Sequence, residues 1–206
     1  MPSLLSFFRV IGRSASALAA ALSLSLFIAD ICAKDSDFSW WRRLKVLDLE
    51  GNPLPIAGRA LVVIFISPEC PVSNGYVPVL NQLFTEFTSR GIAFVGVYAD
   101  PTLDVAALRT HVKEFSIAFS TVDDRHHALV HETGATYTPE VFVFSPDGRV
   151  LYRGRIDDRV GDFGEARPAA TRQELREVLQ KIATGERGPF PGKPGFGCTI
   201  AQEVKS

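Results

Sequence analysis

Apolar residues run almost unbroken over residues 61–66 and again over 92–98, where only Gly96 interrupts. Runs of this length without polar alternation predict central strands buried on both faces. Between them, Tyr76, Val79, Leu80, Leu83, Phe84 and Phe87 recur at steps of three and four, which predicts an amphipathic helix over 75–89 closed by Gly91. Further along, the pattern gives a helix over 103–115 with Asp104 near its start, a short strand over 119–122 and a short helix over 125–132 ending at Gly134. Thr138-Pro139 then opens a strand over 141–144, and Pro146-Asp147-Gly148 turns it into a partner over 149–153. A last helix over 171–184 begins with Thr171-Arg-Gln-Glu174, a capping-box pattern. Upstream, residues 45–50 read as a short strand entering the turn at Gly51-Asn52-Pro53. Strands alternating with helices and finishing in a hairpin predict an α/β domain, a mixed central sheet with flanking helices on both faces.

Two segments fall outside that pattern. Arg9 and Arg13 precede an uncharged run over 14–29 rich in Ala, Leu and Ser, the arrangement of a signal peptide or an uncleaved N-terminal anchor, so residues 1–33 are set apart from the folded domain together with Cys32. Beyond residue 184 the chain becomes a Pro/Gly-rich extended tail over 185–206 that carries Cys198. The domain proper spans 40–184. Export places it outside the cytoplasm, periplasmic or membrane-anchored facing the periplasm, where disulfides persist and thiol chemistry needs an outside electron supply.

Charge and cysteine content narrow the function. With 22 Lys and Arg against 23 Asp and Glu, the chain has no basic footprint for nucleic acid. Three cysteines cannot build a disulfide scaffold, so Cys70 and Cys198 matter by position. Cys70 lies between a buried strand and a helix start, where unpaired N–H groups and partial positive charge favour thiolate. Placement alone leaves open a reactive thiol or a small buried hydrophobe. His127 and His131, four apart, read as an exposed pair on a polar helix or as metal ligands sharing a face. Arg153-Gly154-Arg155 with Asp157-Asp158-Arg159 reads as the solvated end of the hairpin, or as a docking surface or support for the active thiol. There is neither a phosphate-binding Gly-rich loop after a strand nor a haem-attachment motif, so no cofactor is expected.

Cys70-Pro-Val-Ser73 after a buried strand, Thr138-Pro139 at the later strand entry and the Asp147-Gly148 hairpin, in that order, resemble the thioredoxin superfamily. Within it the chain is similar to exported redoxins grouped with the alkyl hydroperoxide reductase/thiol-specific antioxidant and thioredoxin-like proteins. The resemblance implies a thioredoxin-like fold, Cys70 as a nucleophile exposed at the strand's carboxyl end, and Pro139 as a cis-proline beside it, preceded by Thr138. Two departures matter. Ser73 stands where thioredoxins carry a second cysteine, so no local disulfide can close. Ser67 fits the Ser/Thr that peroxiredoxins place three residues before their thiol, but Val63 stands in place of their Pro and Pro139 in place of their Arg. Arg153 and Arg155 of the hairpin are the arginines available to substitute.

Cys198 can restore a two-thiol cycle from a flexible tail, at modest loop-closure cost. It can equally form a permanent structural disulfide or pair between chains. The reading is therefore an exported thiol-disulfide oxidoreductase acting on protein thiols or disulfides with an external thiol reductant, using Cys70, Pro139, Ser67, Thr138 and Cys198. A thiol peroxidase consuming a hydroperoxide, with an antioxidant role, and a non-catalytic or metal-carrying binding module are the alternatives. A membrane tether would come from the N-terminal segment.

Overall fold

Strand β1 (Ala60–Ile66) is buried at every position and forms the centre of the sheet. Helix α2 (Pro71–Thr88), which follows a one-turn helix α1 (Ser39–Arg43), crosses from β1 to β2 (Ile92–Tyr98), and the two strands pair in parallel, Ala60 opposite Ile92 through Ile66 opposite Tyr98. Helix α3 (Val105–Glu114) makes the next crossover to β3 (Ser120–Asp123), again parallel. After α4 (Ala128–Thr133) and the two-residue β4 (Tyr137–Thr138), β5 (Glu140–Phe144) runs antiparallel to β1, and β6 (Val150–Gly154) runs antiparallel to β5. Helix α5 (Glu174–Ala183) and β7 (Cys198–Thr199) complete the chain order. The sheet order β3-β2-β1-β5-β6, with helices on both faces, is the thioredoxin-like arrangement. This computed structural model describes residues 38–161 and 166–201; the signal or anchor reading of residues 1–33, Cys32 included, lies outside them.

The period of two in β1 divides the core. Val62, Ile64 and Ile66 pack with Tyr76, Val77, Leu80, Leu83 and Phe87 of α2 and Leu175, Val178, Leu179 and Ile182 of α5. Leu61, Val63 and Phe65 face the other way, onto Trp40, Trp41, Val95, Val97, Leu129, Phe142 and Phe144. Each fully buried side chain of this size stabilises the fold by roughly 1.5–3 kcal/mol. The strand ends that carry the candidate chemistry are therefore held on both sides.

Several predicted elements change at their ends. Residues 45–50 make only single bridges, Leu47 with Pro53 and Asp48 with Val122, because Asp48 Oδ1 accepts from Glu50 N and Asn52 N and curls the backbone. Helix α1, with Trp40 and Trp41 buried, has no counterpart in the predicted elements. The last helix begins at Glu174 rather than Thr171, since Thr171 donates its N–H and hydroxyl to Asp158 and Gln173 takes the N-cap without a side-chain bond. Helix α2 begins four residues earlier than its apolar spacing predicts, for a reason that lies at Cys70.

Candidate active site

Pro71 occupies the first position of α2, where its fixed φ suits a helix and its missing N–H is not needed. Cys70 is then the N-cap, extended in backbone, with Sγ accepting from Ser73 N at 3.4 Å. Cys70 N donates to Ser67 O at 3.2 Å, and Ser67 N donates to the Ser73 hydroxyl at 3.4 Å. Ser73, at the position of the missing second cysteine, is thus fully buried and braces the turn that presents the thiol. The Ser67 hydroxyl accepts from Glu69 N at 3.3 Å.

Across from this turn stands β4. Cys70 Sγ lies 3.2 Å from Thr138 O, to which the protonated thiol donates, and the Thr138–Pro139 peptide bond is cis. Strand β7 pairs antiparallel with β4, placing Thr138 opposite Cys198 and Tyr137 opposite Thr199. The Thr138 hydroxyl donates to Cys198 O at 3.5 Å. Cys70 and Cys198 thus meet at Thr138, the one through the Thr138 carbonyl and the other across the β4–β7 pair, and each thiol is an electrostatic neighbour of the other. All five predicted site residues are brought to one place: Cys70 bonds to Ser67 and to Thr138, Thr138 bonds to Cys198, and Pro139 is next in the chain.

Two expectations are corrected. Cys70 has no exposed surface, and β7 of the tail pairs with β4 beside it. The tail is not loose: Phe190 N donates to Leu151 O at 2.7 Å, Arg155 N to Lys193 O at 2.9 Å, Gly195 N to the Tyr137 hydroxyl at 2.7 Å and Ile200 N to Thr136 O at 3.0 Å. Cys198 itself is partly exposed.

Burial works against charge on Cys70. The polar contacts around the sulfur, with Cys198, Thr138 and the Ser73 N–H, outweigh it, so the thiol is held below its ordinary value. The same proximity acts oppositely on Cys198, which burial and the Cys70 thiolate push up to about 11. The two neighbouring thiols are therefore shifted in opposite directions.

The arginines lie elsewhere. Arg153 Nε donates to Glu140 at 2.7 Å and Nη2 to Gly134 O at 2.9 Å, while Arg155 makes a two-pronged contact with Glu174 Oε1 at 3.0 and 2.6 Å. The charged run 153–159 is not a solvated end: Asp157 and Asp158 are buried, Asp157 accepting from the Tyr76 hydroxyl at 2.6 Å and from Arg159. Nor are the two histidines an exposed pair, since His127 is buried with Nε2 at 2.7 Å from Ala99 O. Among the described residues no three His, Cys, Asp or Glu side chains converge on a metal position.

Comparison with known proteins bears on the family and the fold. The model of the AhpC/TSA family matches residues 37–153. The thiol-disulfide oxidoreductase ResA of Bacillus thuringiensis subsp. konkukian is 24% identical over 140 residues, covering 66% of this chain and 73% of that protein. Among solved structures, an uncharacterized conserved protein from Geobacillus kaustophilus superposes with a TM-score of 0.68 at 22% identity, over 78% of this chain and 89% of its own. A secreted Mycobacterium tuberculosis disulfide oxidoreductase homologous to E. coli DsbE gives 0.51 at 22% identity, over 68% and 97%.

Proposed function

Because the chain belongs to the AhpC/TSA family, we propose that it is an exported thiol-disulfide oxidoreductase cycling between a Cys70/Cys198 dithiol and a Cys70–Cys198 disulfide. The observation that supports this reading is the pairing of β7 with β4, in which Cys198 stands opposite Thr138, the residue whose carbonyl lies 3.2 Å from the Cys70 sulfur.

The Cys70 thiolate attacks one sulfur of a substrate disulfide, forming a mixed disulfide and expelling the other sulfur as a thiolate. Cys198 then loses its proton, attacks the Cys70 sulfur and expels the second substrate thiolate. The substrate disulfide is thereby reduced by two electrons, and the protein dithiol is oxidised by the same two to the Cys70–Cys198 disulfide. An external dithiol of lower potential restores the pair by the same exchange in reverse. Thr138 and Pro139 shape the surface on which the thiol acts, and Ser67 and Ser73 hold the Cys70 turn. The N-terminal segment and the disulfide chemistry both support export, since such bonds persist outside the cytoplasm. The ResA and DsbE-like resemblances support protein thiols and disulfides as substrates.

The test is to oxidise the reduced protein with one equivalent of an oxidised dithiol peptide and map both cysteines by mass spectrometry. The expected product is an intramolecular Cys70–Cys198 disulfide with one equivalent of reduced peptide; Cys198→Ser should accumulate the Cys70 mixed disulfide. An unreactive Cys70, or oxidation only between chains, would overturn the reading. Fast consumption of hydrogen peroxide with slow peptide exchange would select the peroxidase instead.

A further inference from the structure

His111, on α3, is 97% buried yet belongs to no element of the proposed thiol chemistry. Its Nδ1 lies 2.7 Å from the hydroxyl of Tyr98, at the end of β2, and its Nε2 lies 2.9 Å from Oδ1 of Asn74. Asn74 Nδ2 in turn donates to Pro68 O at 2.8 Å, and Asn74 N donates to Cys70 O at 3.0 Å. A continuous chain of hydrogen bonds thus runs from the sheet through α3 into the turn 67–70, ending two residues from the nucleophile.

The donor roles along this chain are determined. Pro68 O can only accept, so the Asn74 amide must present its NH2 to it and its oxygen to His111. His111 Nε2 must then carry the proton, and Nδ1 is left to accept from Tyr98. Flipping the Asn74 amide would set N–H against N–H at His111 and oxygen against oxygen at Pro68. The histidine thus fixes the orientation of the amide, and the amide fixes the turn. Burial favours the neutral ring that this arrangement needs, with Glu114 opposing it.

We propose that His111 is a positioning residue for the redox thiol: as the neutral Nε2–H tautomer, held by Tyr98, it orients Asn74 to clamp Pro68 O and so holds Cys70 Sγ in line with Ser73 N. The proposal rests on the reading of Cys70 as the attacking thiolate, but its readout does not require turnover. Without the clamp the turn keeps its bonds at Cys70 N and Ser67 N, while Sγ loses its aligned donor for part of the time.

Two measurements test it on the full reduced chain. Nitrogen-15 spectra of the wild type are expected to show His111 protonated on Nε2 and bare on Nδ1; the opposite tautomer would overturn the proposal without any variant. The Cys70 Cβ carbon-13 shift, followed against pH, is expected to titrate higher in Asn74→Ala and His111→Ala, with the thiolate fraction at a fixed pH reduced about three- to tenfold. Tyr98→Phe should shift it in the same direction by less. A folded Asn74→Ala or His111→Ala that loses melting temperature but leaves the Cys70 titration at the wild-type position would assign the chain a structural role only and overturn the proposal. Failure of Cys70 to form its disulfide with Cys198 in the wild type would instead overturn the functional reading.

Discussion

Asp158 accepts from the Thr171 hydroxyl, from Thr171 N at 2.7 Å, from Arg172 N at 2.9 Å and from Arg167 at 2.8 Å. These donors, the Thr171 hydroxyl foremost, hold its carboxyl far below the ordinary carboxylate range. A folded-state value below the unfolded one, about 3.9, means that the contribution to stability is complete above that pH and disappears as pH falls through the folded value. Melting temperature followed from pH 7 down to about pH 2 should therefore drop in acid for the wild type. Asp158→Asn should lower it at pH 7 and flatten the acid limb; an unchanged acid limb would assign that loss to other carboxylates. The same residue shows what single positions conceal in sequence. Cys70 was legible because its signal is local, a buried strand on one side and Pro71 with a helix on the other. Asp158, Glu140 and Glu174 were not, because each finds its arginine or hydroxyl partner through the fold at separations of 9 to 19 residues. Asn74 and His111, 37 residues apart, were hidden for the same reason.

At the scale of elements, apolar periodicity located β1, β2 and the body of α2, because burial imposes the pattern directly. It misplaced the start of α2, where Pro71 and the Cys70 cap replace apolar spacing as the determinant. It also missed β7, which has two residues and exists only through its partner. That pairing requires close approach: a Cβ on Gly197 would stand 1.9 Å from Thr138 O. Gly197→Ala must therefore move β7 away from β4, while the sheet and both core clusters remain untouched. Oxidative closure of the Cys70–Cys198 bond, timed by quenched alkylation, should slow about tenfold or more, with melting temperature reduced only slightly. Closure at the wild-type rate would mean that the pairing does not set the encounter of the two sulfurs.

Across the whole molecule, the tail converts a long loop closure into a preorganised contact. Cys198 is 128 residues from Cys70 in sequence, and a free tail would have to find the thiol by diffusion. Instead, residues 190–200 run along β6 and β4, fastened by the β4–β7 pairing and by further backbone N–H donations before any disulfide forms. Each such bond is worth about 0.5–1.5 kcal/mol net, so full release of the tail is an infrequent opening. Cys70 has no exposed surface with the tail in this position, so its reaction with bulky reagents is expected to follow that opening. A chain ending at residue 187 should therefore react at Cys70 with a large maleimide about tenfold or more faster than the full-length Cys198→Ser protein, which keeps the cover and lacks the second thiol. Equal rates in the two would show that the tail delivers Cys198 without shielding Cys70. A faster truncated chain would mean that the segment bringing the resolving thiol is also what a large disulfide substrate must displace.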